Sequence, residues 1–258
     1  MFHLSRLLSF ALLVGAPLAA HAEVSYQVET SVASGYVARG IVQYADRGVA
    51  SSQNTAAIKI DHVGPGALTL SGWNATALDN YDQQPGTALE LDLTATYGFT
   101  AGPVAVTAGY TAYLFPEHAE GTPVDGAHEV FATAAYDNPY VVPAVAIWAE
   151  VARQQGAYVT VGGSRDFHAG PCTITPAVSV GAAAYRKYLG TERAAAPHLN
   201  DVTAGLAGRV DLAGGAYAAL RLSYALRTTP DELMDADADW GMAGRSTLVG
   251  VVAIGVAR

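Results

Sequence analysis

The segment "TALELDLTATYGF", residues 87–99, alternates without a break. Leu89, Leu91, Leu93, Ala95, Tyr97 and Phe99 fall on one side, and Glu90, Asp92, Thr94, Thr96 and Gly98 on the other. Successive side chains of a β-strand point to opposite faces, so this is a strand with one apolar and one polar face. The pattern returns in "VTAGLAGRVDL", where Val202, Ala204, Leu206, Val210 and Leu212 oppose Thr203, Arg209 and Asp211. It returns again in "AALRLSYALR", where Ala218, Leu220, Leu222, Tyr224 and Leu226 oppose Arg221, Ser223 and Arg227. Many such segments run for 12 to 14 residues, whereas strands of soluble domains centre on about 5–6. A soluble sandwich or lipocalin-like barrel would share the alternation but not the length.

Twelve strands are expected, near 24–38, 51–62, 66–78, 87–99, 103–115, 127–137, 141–153, 156–167, 173–187, 200–212, 215–228 and 246–258. Their connections alternate in length. "VGPG", "TAGP", "DNPY", "HAGP" and "AGG" are tight and carry the Gly, Pro and Asn that tight turns demand. Longer connections lie around 39–50, 79–86, 116–126, 188–199 and 229–245, and only "QQG", 154–156, is short where a long one is due. Short turns on one side and long loops on the other, with an even strand number, describe an all-β, single transmembrane antiparallel barrel with periplasmic turns and surface loops. Aromatic residues gather at segment ends, and Tyr36, Tyr97, Phe99, Tyr136 and Tyr188 are expected at the lipid–water interfaces.

The N-terminus agrees with export to a Gram-negative outer membrane. Arg6 precedes an apolar stretch, Leu7 to Leu18, and Ala20-His21-Ala22 offers the small residues a signal peptidase reads. Residues 1–22 are therefore expected to be a signal peptide and 23–258 a single barrel domain. After that cut, 13 basic residues face 23 acidic ones, a net charge of −10. A phosphate backbone needs a basic face, so nucleic acid is not expected as a partner. The single cysteine, Cys172, cannot close an internal disulfide. Only 14% of residues are charged, against about 25% in an average soluble domain, yet no mature segment has 18 consecutive apolar residues for a helical span.

The first strand leads into "SGYVARGIVQ", residues 34–43. Continuing its alternation puts Val24, Tyr26, Val28, Val32 and Tyr36 outward, and Ser25, Gln27, Glu29, Ser31 and Arg39 inward. Arg39 is then at the mouth of the lumen, either solvated or paired with a lumen carboxylate, or acting in gating or selectivity. The stretch resembles the S-D-Y-V-F-R-G-I-S-Q run of the TorF-type porins of proteobacterial outer membranes, matching at Ser34, Tyr36, Val37, Arg39, Gly40, Ile41 and Gln43 and departing at Gly35, Ala38 and Val42. "SGWNATALD", "LELDLTATYGF", "GYTAYLFPE" and "HEVFATAAYD" follow that family's order of elements, so the resemblance spans roughly 24–137. It implies an outer-membrane barrel of porin type with no defined substrate. One departure is the last residue: such barrels commonly end in an aromatic residue read by the assembly machinery, and here Arg258 ends a strand that is apolar on both faces.

Catalytic chemistry finds little support. Barrel lipases need an H-x-S pair, so that imidazole can activate the hydroxyl, and none of His21, His62, His118, His128, His168 and His198 has serine two residues on. The cluster Asp231, Glu232, Asp235, Asp237 and Asp239 resembles the start of a calcium loop, but Trp240 stands where the loop needs Gly. It reads as a solvated acidic loop or as a weak divalent-ion site at the lipopolysaccharide surface. "GGSRDF", 162–167, lacks the G-K-[ST] ending of a phosphate loop.

The expectation is thus a non-enzymatic porin-like channel, without cofactor or bound metal, for passive diffusion of small polar solutes or ions. Its partners are outer-membrane lipid, lipopolysaccharide and the barrel assembly machinery. Lumen selectivity is placed on Arg39, Glu90, Asp92, Glu129, Glu150, Arg209, Arg221 and Arg227. Inward acids (Glu29, Asp61, Glu90, Asp92, Glu129, Glu150, Asp166, Asp211) outnumber inward bases (Arg39, Lys59, Arg209, Arg221, Arg227), which favours cations weakly. Inward Gly98, Gly109, Gly181 and Gly205 leave open space. The alternative is a non-conducting structural or adhesive barrel with a side-chain-plugged lumen.

Overall fold

The computed structural model describes residues 23–39, 41–42, 50–78, 86, 88–115, 124–152, 156–185, 197–228 and 246–258. The expected signal peptide, Tyr188, His118, Gln154, Gln155 and the acidic cluster from Asp231 to Asp239 lie outside them.

In chain order the strands are β1 (Val24–Ala33), β2 (Val37–Ala38), β3 (Ile41–Val42), β4 (Ser51–Val63), β5 (Gly66–Ala77), β6 (Ala88–Ala101), β7 (Val104–Phe115), β8 (Val124–Tyr136), β9 (Val142–Glu150), β10 (Gly156–Ser164), β11 (Phe167–Ala169), β12 (Cys172–Tyr185), β13 (His198–Asp211), β14 (Ala216–Arg227) and β15 (Ser246–Ala257). Each long strand pairs antiparallel with its sequence neighbours, β10 pairs with β12, and β1 pairs with β15. The result is a closed barrel of twelve strands. β2 and β3 stand apart as a two-stranded hairpin, and β11 extends the edge of β12.

Closure runs to the last residue. Tyr26 N–H donates to Arg258 O at 2.7 Å and Arg258 N–H to Tyr26 O at 3.0 Å. The Arg258 side chain turns to the one helical turn among the described residues, Ala213–Gly215, and donates from Nε to Gly214 O at 3.2 Å.

Three tight turns share one device. Gly64-Pro65, Gly102-Pro103 and Gly170-Pro171 each join paired residues, and each glycine has φ near +60°. A two-residue loop with positive φ at its first position matches the right-handed twist of the flanking strands, and glycine takes that φ without a Cβ clash.

The apolar faces point out. Val28, Leu70, Leu93, Val130, Leu206, Leu222 and Ile254 are all large and 40–61% exposed on the outer wall. Hydrocarbon is the solvent that such a wall fits. A polar pair on that wall is satisfied locally: Thr30 Oγ1 donates to Asn54 Oδ1 at 2.7 Å. Phe99, Tyr136, Tyr140 and Phe167 are exposed near the turn-side end.

Among the local irregularities that redirect side chains, two depart from the sequence expectation for the first strand and for residues 87–99. Between β5 and β6 the pairing slips at Ala75 and Thr76 of β5, so that Ala75 faces Glu90 and Thr76 faces Ala88. Leu89 is the extra residue of this bulge and turns inward, 3% exposed, against Ala75 and Ala77. The expected outward face of residues 87–99 thus loses its first leucine. The second irregularity is the end of β1. The alternation suggested a strand to residue 38, but pairing stops at Ala33.

Candidate functional site: a hairpin across the lumen

After Ala33 the chain leaves the wall. Ser34 N–H donates to Gly250 O at 2.9 Å and Ser34 Oγ accepts from Gly250 N–H at 3.0 Å, which pins the exit point to β15. Gly35 is buried. Tyr36 then packs on Trp73, ring centroids 5.2 Å apart, and against the buried cluster of Ala75, Ala77 and Leu89. This corrects its expected place at the outer lipid interface: the aromatic ring finds an apolar lumen pocket, partly made by the β6 bulge, instead of hydrocarbon.

β2 and β3 pair as Val37↔Val42 and Ala38↔Ile41, which puts Arg39 at the hairpin tip. Arg39 has φ +54°, a left-handed conformation that costs a side-chain-bearing residue on the order of 1–3 kcal/mol and persists only when its surroundings hold it. They do. Arg39 Nη1 donates to Glu129 Oε1 at 2.7 Å, and Nη2 bonds Glu129 Oε2. Arg39 Cζ lies 5.7 Å from the Trp148 ring centroid and 5.3 Å from that of Tyr158. Asn200 Nδ2 donates to the Arg39 carbonyl at 2.6 Å. These partners sit on β8, β9, β10 and β13. In the barrel order β9 is six strands from β1, directly opposite. The hairpin therefore crosses the lumen at its loop-side end.

The receiving wall is built from aromatic–glycine neighbours. Tyr158 of β10 leans across Gly181 of β12 to donate its hydroxyl to Asp201 Oδ1 on β13, at 2.8 Å. A Cβ at Gly181 would collide with that hydroxyl. Asn200 and Thr203 also donate to Asp201, at 3.0 and 3.2 Å. On β7, Tyr113 donates to Glu129 Oε2 at 2.7 Å. Tyr113 thus faces the lumen, whereas Tyr110 of the same strand is on the outer wall, 42% exposed. Phe131 likewise covers Gly109. The space expected at Gly109 and Gly181 is filled by neighbouring rings.

The other sequence-derived lumen residues divide into three places. Glu90 and Asp92 lie on the lumen face of β6, Glu90 5% exposed. Glu150 is buried at the end of β9 and accepts from Ala152 N–H at 2.9 Å, fastening the β9–β10 connection. Arg227 is buried at the loop-side end of β14. Arg209 and Arg221 belong to a second cluster nearer the turns. There Arg221 makes two bonds to Glu29, 2.8 and 2.6 Å, and Tyr217 donates to Glu29 Oε2 at 2.9 Å. Gln27 Nε2 donates to the Tyr217 hydroxyl at 2.8 Å, and Arg209 Cζ stacks 3.7 Å from the Tyr217 ring centroid. Arg209 also pairs with Asp211 at 2.7 Å. Glu29 is on β1 and Tyr217 on β14, with β15 between them. Gly255 and Ala253 are the inward residues of β15 there, and their small size lets β14 side chains reach β1. Of the expected interface aromatics, Phe99 and Tyr136 are exposed on the outer wall, while Tyr97 is half-buried and donates its hydroxyl to Val63 O at 2.9 Å.

At the turn-side end the lumen opens into a cavity of about 560 Å³ lined in part by Lys59, Asp61, Thr69, Thr96, Gly98 and Thr107. Lys59 and Asp61 pair at 2.6 Å.

Sequence reading missed Tyr158, Trp148, Asn200 and Asp201. Tyr158 lies two residues from Thr160, the partner of Gly181, and this relation exists only across strands.

No protein-family model matches the sequence, and neither does any curated protein. Solved structures do match. A KdgM porin aligns over 90% of this chain and 98% of its own, with TM-score 0.50 and 8% identity. The KdgM porin in complex with disordered oligogalacturonate aligns over the same shares, with TM-score 0.50 and 9% identity. The COG4313 outer membrane channel from Pseudomonas putida F1 aligns over 92% of this chain and 95% of its own, with TM-score 0.50 and 5% identity. At these identities the likeness is one of fold alone, that of an outer-membrane β-barrel.

Proposed function

We propose that the chain is an outer-membrane channel for passive diffusion of small polar solutes or ions, with a weak preference for cations and no catalytic step. The observation that carries this is the hairpin of residues 37–42 set across a polar lumen: it narrows the passage where carboxylates are most numerous. Glu90, Asp92, Glu129, Glu150 and Asp201 stand at that end, with Arg39 and Arg227 as the described bases among them. A narrow passage between low-dielectric walls focuses such an imbalance on the permeating ion. The resemblance of residues 24–137 to TorF-type porins supports the same reading. So do the leader-like residues 1–22, whose removal would leave the mature barrel in the outer membrane, inserted by the barrel assembly machinery amid lipid and lipopolysaccharide. Phe99 and Tyr136 would anchor its turn-side rim.

The packing of Tyr36 and Arg39 also favours a second reading, a non-conducting barrel with a plugged lumen and loops that hold a partner. Single-channel recording of the refolded protein separates the two. Discrete conductance steps are the expected result; a silent bilayer with correctly folded protein would leave the plugged barrel.

A further inference from the structure

Arg39 occupies a site that has the form of a receptor for its own side-chain chemistry. Glu129 offers a carboxylate, 4% exposed, in the plane that a guanidinium fork meets with two bonds. Trp148 and Tyr158 offer ring faces at 5.7 and 5.3 Å from the guanidinium carbon. The box is organised without Arg39: Tyr113 holds Glu129 through Oε2, Asp201 holds the Tyr158 hydroxyl, and Trp148 and Tyr158 pack on each other at 5.7 Å. A planar, weakly hydrated cation suits such a box better than a compact ammonium, because it can stack and bond in the same pose. The occupant arrives on a two-strand hairpin, in a left-handed backbone conformation, from the opposite wall.

We propose that Glu129, Tyr113, Trp148 and Tyr158 form a binding site for guanidinium-bearing solutes, and that Arg39 is its resident occupant, which such a solute displaces in passing. This rests on the channel reading and names its preferred solute class. Arg39 then acts as a competitor built into the chain, and the box supplies the specificity.

The test uses the full-length refolded protein and methylguanidinium, with methylammonium as the control cation of equal charge. With Arg39→Ala in a planar bilayer, methylguanidinium should block the potassium current at a concentration about tenfold below that needed for methylammonium, the factor that one charge-assisted contact supplies. The unmodified protein should need more methylguanidinium, because Arg39 competes. The double variant Arg39→Ala/Glu129→Gln should lose the discrimination. Equal block by the two cations in Arg39→Ala overturns the proposal, as does unchanged discrimination in the double variant.

Trp148 emission, read in detergent in a Trp73→Phe/Trp240→Phe background, gives an independent measure of occupancy. A silent bilayer with a methylguanidinium-specific emission change would sink the channel reading and keep the site. Conductance without block or emission change would do the reverse. Arg39→Gln serves if Arg39→Ala does not assemble. If neither assembles, the emission of the protein with Arg39 present decides: no response specific to methylguanidinium overturns the site.

Discussion

Arg39 at the tip of the β2–β3 hairpin and Glu129 on β8 form a two-point ion pair that joins the segment after the first strand to the far side of the barrel. Their side chains are 13% and 4% exposed. Removing one partner of a buried pair leaves an uncompensated charge and costs about 3–5 kcal/mol, whereas removing both can be nearly neutral. Arg39→Ala should therefore destabilise the folded barrel more than Arg39→Ala/Glu129→Gln does. Urea unfolding of the two variants and of Glu129→Gln closes the cycle; additive losses would mean that the pair carries no coupling.

Gly181 lies beneath Tyr158, and Gly255 beneath Tyr217. Gly181→Ala should cost about 1–3 kcal/mol, the range for overpacking a filled site. Tyr158→Ala in the same chain should relieve that specific cost. Unfolding midpoints of the single and double variants read this directly, and a Gly181→Ala protein as stable as the parent would refute the packing.

The faces of β14 differ in solvent. Leu222, 40% exposed, is on the outer wall, and Ser223 faces the lumen. An arginine at Leu222 should impair insertion, since a charge on the lipid face at mid-bilayer costs about 2–4 kcal/mol. Ser223→Arg should insert normally. Heat-modifiable gel mobility after folding into vesicles distinguishes the two, and equal impairment would reverse the assigned faces.

The tight turn at Gly102 is at one end of the barrel, and the far ends of β7, β8, β14 and β15 are at the other; Pro123 and Ala238, in the sequence between those strands, lie outside the described residues. A tag at Pro123 or Ala238 should be labelled on intact cells, and one at Gly102 only after the outer membrane is opened. The converse pattern would invert the barrel.

Ion preference should respond to β6. Changing Glu90 and Asp92 together to Gln and Asn should lower the cation preference measured by reversal potential. That preference should also fade as salt rises and screening shortens to about 10 Å at 0.1 M. Clear anion selectivity in the unmodified protein would place control with the arginines.

The strands were legible because their cause is local. Alternation with period two records which side of each strand meets hydrocarbon. The Gly-Pro turns record where the chain must reverse, and both signals sit within a few residues. The twelve expected segments accordingly match the observed strands, and they diverge where a non-local contact competes. β1 was expected to reach residue 38, but Ser34 is held by Gly250, Tyr36 by Trp73 and Leu89, and Arg39 by Glu129. None of these partners is within 30 residues of the one it holds. Leu89 kept its place in the alternation on paper, yet the bulge against Ala75 and Thr76 turned it inward. An arginine three residues after a tyrosine told that something polar waited at the strand's end. That the segment crosses the lumen, and that a box of Glu129, Trp148 and Tyr158 receives it, was decided by barrel closure, which brings β8, β9 and β10 opposite β1.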